Sequence, residues 1–204
     1  DTPTTRLFPK YYAPDDSNNN WKSTSHGTTT YSINSSRGPN LSCPKAVTAM
    51  TSSKTTISNA INAMSTGGLT HIDLGIAWGW RMISPKWRGL WGGEMNTNSL
   101  PLDYNSPLMN KAIILMTDGD NTLTNGNYTA YGYPSAGQLG ANPCPTSACS
   151  TGETELNTRT TAVCNNIKAN NSNVIIYTIA LGTSIGTTAK NMLQACAWRY
   201  ASAQ

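Results

Sequence analysis

The chain has 204 residues, a length that suits one domain with a substantial core, and only 12% of its residues are charged, about half the usual share. Its formal charge of +4 comes from a shortage of acids and not from a basic stripe, which argues against nucleic-acid binding and leaves room only for weak attraction to acidic surfaces. Ser, Thr and Asn are abundant throughout, as on secreted or cell-surface proteins. Five cysteines (Cys43, Cys144, Cys149, Cys164 and Cys196) suggest two disulfides and one cysteine without a partner. Zinc is disfavoured, because no Cys-x2-Cys pair occurs and the two histidines are scattered. No apolar run reaches the length of a membrane span.

Residues 1–50 show no periodicity and many turn formers, among them Pro3, Pro9, Pro14 and Asn18-Asn19-Asn20, and predict an irregular insertion. A helix is predicted from about Ser52 to Met64, with Ile57, Ile61 and Met64 on one apolar face, Thr51 or Ser52 as cap, and Gly67-Gly68 beyond it. A second helix runs from Ile72 to Ile83, carries Asp73 in its first turn, and stops at Ser84-Pro85. Residues 86–109 read as a loop rich in Gly and Trp.

The run Lys111-Ala-Ile-Ile-Leu-Met-Thr117, ending in Asp118-Gly119-Asp120, predicts a buried parallel strand that delivers a carboxylate to the carboxyl edge of a sheet. Ligands of open α/β sheets bind at that edge, and carboxylate with hydroxyl oxygens suits a hard cation such as Mg²⁺. The plain alternative is a polar turn that only reverses the chain. Residues 120–152 are again irregular. A third helix is predicted over about Glu153–Ala169, a second buried strand over Val174–Leu181, and a last helix over about Thr188–Ala197. Helix, strand, helix, strand, helix is an α/β pattern with a parallel sheet, although two strands are few for a stable one.

The block from Gly68 to Gly93, with Leu-Thr-His-Ile-Asp at its start and Lys-Trp-Arg-Gly-Leu-Trp near its end, is followed by Ile-Leu-Met-Thr-Asp-Gly-Asp-Asn121. Together they resemble the von Willebrand factor A-type domain of TadG-like proteins, which belong to Tad/Flp tight-adherence pilus assembly systems. The likeness extends from Tyr11-Tyr12-Ala13-Pro14-Asp15 through Leu193-Gln-Ala-Cys196. It implies a doubly wound, mainly parallel α/β sheet in three layers over residues 51–204, with a metal-ion-dependent adhesion site at the carboxyl edge. Thr70 looks like the second-loop threonine of that site and Asp118 like the third-loop aspartate. No Asp-x-Ser-x-Ser, the first-loop signature, occurs in the sequence.

With two ligating groups at most, Mg²⁺ (or Mn²⁺) is expected to bind weakly or not at all. The resemblance further implies a partial domain lacking its first strand and its last strand and helix. It also implies a location in the cell envelope, on the periplasmic or extracellular face. Partners are expected among the proteins of the pilus apparatus, with a membrane anchor outside this chain. On the same footing Cys164 pairs with Cys196, Cys144 with Cys149, and Cys43 is left over. A sheet lacking its central strand is expected to expose an apolar edge and to be poorly soluble.

Other residues carry two readings each. Trp87, Arg88 and Trp91 make either a partner surface or a packed loop; Trp78 and Trp80, two apart on a helix, cannot share a face, so one is expected in the core and the other under the 86–93 loop. His71 and Asp120 are either supporting groups of the metal edge or ordinary capping and turn residues. The leading function is a non-enzymatic adhesion or assembly module. Its rivals are a glycosyltransferase holding Mn²⁺ and a sugar nucleotide on Asp118-Gly119-Asp120, and a structural extracellular domain with a decayed metal site.

Overall fold

The computed structural model describes residues 44–124, 129–132, 134, 137, 139, 144, 148–169 and 173–198. Of the irregular 1–50 segment, therefore, only 44–50 lie among the described residues, and Cys43 and Tyr11–Asp15 fall outside them. The described elements are α1 (Lys54–Asn62), α2 (Ile72–Ile83), a 3₁₀ turn (Pro85–Trp87), α3 (Gly93–Thr97), β1 (Lys111–Thr117), α4 (Ser150–Ala169), β2 (Val174–Ala180) and α5 (Thr187–Cys196). This is an α/β arrangement with a small parallel sheet.

Chain contacts separate the described residues into two compact units, one from 46–64, 70–121 and 156–198, the other from 44–45, 65–69 and 122–155. In the first unit β1 and β2 pair in parallel, with Lys111 opposite Val174, Ile113 opposite Ile176 and Thr117 opposite Ala180. The strands alternate. Ile113, Leu115, Val174 and Ile176 are buried with Ile72 and Ile76 of α2, Cys164 and Ile167 of α4, and Ala189, Met192, Leu193 and Cys196 of α5. The side chains between them point the other way: Ile114 is 66% exposed, Met116 60% and Tyr177 54%. Continuous apolar strands of this kind are normally covered on both faces. Here, among the described residues, helices cover one face and leave the other apolar and open. What the described residues leave open is therefore a sheet face.

The helix boundaries have local causes. Ser53, one residue beyond the predicted caps, begins α1 by accepting the Thr56 N–H on its hydroxyl at 3.2 Å. The apolar stripe of α1 exists but stays outside: Ile57 and Ile61 are exposed and α1 has no buried residue. Helix α2 ends at Ser84, as the following Pro85 requires. Helix α4 starts three residues earlier than its predicted Glu153, at Ser150, next to the Cys144–Cys149 disulfide. Within the predicted 86–109 loop the structure adds the 3₁₀ turn and α3, whose Met95 is fully buried.

Both expected disulfides are present. Cys164 on α4 joins Cys196 on α5 across 32 residues, with Cα atoms 5.2 Å apart, and Cys144 joins Cys149 with Cα atoms 5.3 Å apart. Disulfides of this number place the chain in an oxidising compartment. In the second unit, Thr124 and Ala148 form an antiparallel bridge, and the Leu123 N–H donates to Glu153 Oε1 at 3.1 Å. No described helix is long and apolar enough to cross a membrane.

Candidate functional site at the carboxyl edge of the sheet

Strand β1 ends at Thr117, whose hydroxyl donates to the Gly119 carbonyl at 2.9 Å and accepts the Gly119 N–H at 3.3 Å. This local turn stops the ladder and leaves Asp118 exposed at the strand tip. One further bond, from the Leu181 N–H to the Thr117 carbonyl at 2.9 Å, holds the end of β2 beside it.

Asp120 turns the other way. Its Oδ1 accepts the Gly186 N–H at 2.9 Å, and Gly186 is the N-cap of α5. A carboxylate there satisfies an otherwise unpaired helix N–H and faces the positive end of the helix dipole. The approach is close: a Cβ on Gly186 would lie 2.5 Å from Asp120 Oδ2. Asp120 is thereby a capping residue for α5, from 66 residues away in the chain.

Asn121 is the residue that the sequence reading missed. It is 3% exposed. Its Oδ1 accepts the Ile72 N–H at 2.7 Å and its Nδ2 donates to Asn157 Oδ1 at 2.8 Å. Ile72 is the first residue of α2, and His71 before it offers no side-chain cap. Asn121 therefore caps α2 from 49 residues away and ties the start of α2 to α4. Thr70 stands two residues before Ile72, and Asp118 three residues before Asn121. One buried amide thus holds the loop of Thr70 against the loop of Asp118. The only signal in the sequence was an Asn closing the Asp118-Gly-Asp-Asn121 tip.

His71 is half-buried with Nδ1 3.6 Å from the buried Asp73 Oδ1, too long for a hydrogen bond but close enough for ionic attraction when the imidazole is protonated. His71 is the N-cap residue of α2 and Asp73 lies in its first turn. Donor chemistry limits what the edge can hold. Thr70 and Asp118 provide a hydroxyl and a carboxylate, Asp120 is committed to Gly186, and no group of three His, Cys, Asp or Glu converges among the described residues. Mg²⁺ asks for about six oxygens, so these residues do not amount to a Mg²⁺ site by themselves.

The Trp-rich block is divided between core and surface. Trp80 packs against the buried cluster and its Nε1 donates to Tyr104 Oη at 3.0 Å. Trp78 meets the loop at its edge, its ring centroid 5.9 Å from Trp87 and 6.3 Å from Trp91. Trp80 is thus half-buried against the core, whereas Trp78, expected under the 86–93 loop, remains 39% exposed. Arg88 bonds the Pro101 carbonyl and pairs with Asp103 at 2.7 Å.

At the opposite end of β1, Lys111 is buried with Nζ 4.6 Å from the centre of the Tyr104 ring. It donates to the Ile83 carbonyl at 2.6 Å, closing the end of α2, and to the Leu102 carbonyl. Burial first, and then the charge of Arg88, hold its pKa below the ordinary lysine value, against the opposing pull of Asp103. Comparison with family models, with curated proteins and with solved structures gives no match to this chain.

Proposed function

We propose that this chain is a non-enzymatic adhesion or assembly module: a von Willebrand factor A-type domain of a TadG-like protein, doubly wound, serving a Tad/Flp pilus system in the cell envelope. The observation that carries the reading is the Asn121 amide, which draws the Thr70 loop and the Asp118 loop to one edge of a parallel sheet. That is where a partner contact of this kind would form. Asp118 faces solvent there as the free carboxylate of the tip. The two disulfides support a location on the periplasmic or extracellular side. The rival glycosyltransferase reading would need the Asp120 carboxylate beside Asp118, while Asp120 Oδ1 is engaged as the cap of α5.

Calorimetric titration of the chain with Mg²⁺ or Mn²⁺, with and without a uridine-diphosphate sugar, tests the proposal. The expected result is weak binding, about millimolar, that ignores the nucleotide and disappears in Asp118→Ala. Binding that requires the nucleotide would favour the transferase. Absence of any metal binding by the folded chain would leave only a structural domain.

A further inference from the structure

The cluster that α2 and its following turn build outside the core has a chemistry of its own. Trp78, Trp87 and Trp91 contact one another with ring centroids 5.9–6.3 Å apart, and none of them belongs to the buried cluster of the sheet. The Arg81 guanidinium lies 4.7 Å above Trp78 and 5.4 Å above Trp87. From Leu74 through Gly93 the charged side chains are Arg81, Lys86 and Arg88, with no acid among them. The acids that follow are engaged: Glu94 accepts the Ser52 N–H at 3.1 Å and Asp103 is paired with Arg88. Leu90 is 70% exposed. It stands between Gly89 and Gly92, whose φ values of +83° and +71° let the loop turn sharply around it. Trp91 Nε1 is buried and finds no hydrogen-bond acceptor among the described residues.

We propose that Trp78, Arg81, Lys86, Trp87, Leu90 and Trp91 form a patch that docks on an anionic phospholipid surface. Indoles concentrate at the headgroup level of bilayers, where an apolar ring and a polar N–H are both satisfied. Lysine and arginine stems cover apolar surface while their heads reach phosphate. Each cation near such a surface adds about fivefold to binding, and a protruding leucine adds apolar insertion. A loop packed only for stability has no need of an exposed Leu90 or of an acid-free stretch. A glycan platform calls for open ring faces edged by amides and carboxylates, whereas Trp78 meets Trp87 and Trp91 edge to face and carries the Arg81 guanidinium over its ring. The patch contains neither Thr70 nor Asp118, so the inference stands apart from the adhesion reading.

The test is co-sedimentation of the full 204-residue chain with phosphatidylcholine vesicles containing none or about 30% phosphatidylglycerol. It is run at about 0.05 M and 0.5 M salt, with indole fluorescence recorded in parallel. The expected result is binding to the anionic vesicles only, a blue shift of the emission, and release at high salt. Lys86→Glu reverses one charge and is expected to lower partitioning at least about tenfold. Leu90→Ser is expected to lower it at both salt concentrations. Both side chains are exposed, so the melting transition of either variant should match the parent. Failure of the parent chain to bind anionic vesicles would overturn the proposal. So would equal binding to neutral vesicles, unchanged binding by both variants, or binding to soluble oligosaccharides without binding to lipid.

Discussion

Asn121 meets three demands with one side chain: it is buried, it caps α2, and it binds Asn157. Asn121→Ala leaves the Ile72 N–H and the Asn157 amide without their partner, at a cost of about 1–3 kcal/mol. Urea denaturation should show the midpoint falling with little change in slope. Gly186 makes a paired prediction. Gly186→Ala should destabilise by about 1–3 kcal/mol because its Cβ meets the Asp120 carboxylate, and the double variant with Asp120→Ala should cost less than the sum of the single changes. Additive losses would show that Asp120 and Gly186 do not press on one another. Lys111 sets a pH dependence. Its folded pKa lies below the unfolded value of 10.5, so between the two the unfolded chain binds more protons and stability rises with pH. Unfolding free energy measured from neutral pH upward should climb toward that value and then level off, and Lys111→Met should flatten the climb. None of these partnerships was legible in the sequence. Each joins segments far apart in the chain, and such bonds leave no periodic trace.

The regular elements were legible because their signals are local. Continuous apolar runs mark β1 and β2, Ser84-Pro85 marks the end of α2, and the observed ends of α2 and α5 fall within a residue of the expected ones. Where tertiary contacts decide, the sequence was less informative. Met95 reads as one apolar residue in a glycine-rich loop, yet it is fully buried in α3 and its Sδ accepts the Met50 N–H. Helix α1 shows the reverse case, an apolar stripe that the described structure leaves exposed. The Cys164–Cys196 bond staples α4 to α5, two helices that both pack into the sheet core. Chain-entropy arguments for a loop of this length assign it about 3–4 kcal/mol. Replacing both cysteines by alanine should lower the denaturation midpoint accordingly, while an unchanged midpoint would place the staple in a region that unfolds independently.

On the scale of the whole molecule, two apolar surfaces stand out among the described residues: the open sheet face of Ile114, Met116 and Tyr177, and the Trp-rich patch. An open face of that kind promotes self-association. The double variant Ile114→Thr and Met116→Thr should therefore reduce aggregation measured by light scattering, with little loss of stability because both side chains are exposed. The α/β class was readable from the order of elements, whereas the two faces of the sheet were not, because strand composition announces burial without saying what provides it. The central claim is that the Thr70 and Asp118 loops form one edge. Nuclear magnetic resonance of the chain titrated with Mn²⁺ tests it directly, since the ion broadens only the amides near it. If the two loops form one edge, broadening is concentrated at residues 70–72 and 117–121 and abolished by Asp118→Ala, whereas broadening of one loop that spares the other would contradict the claim.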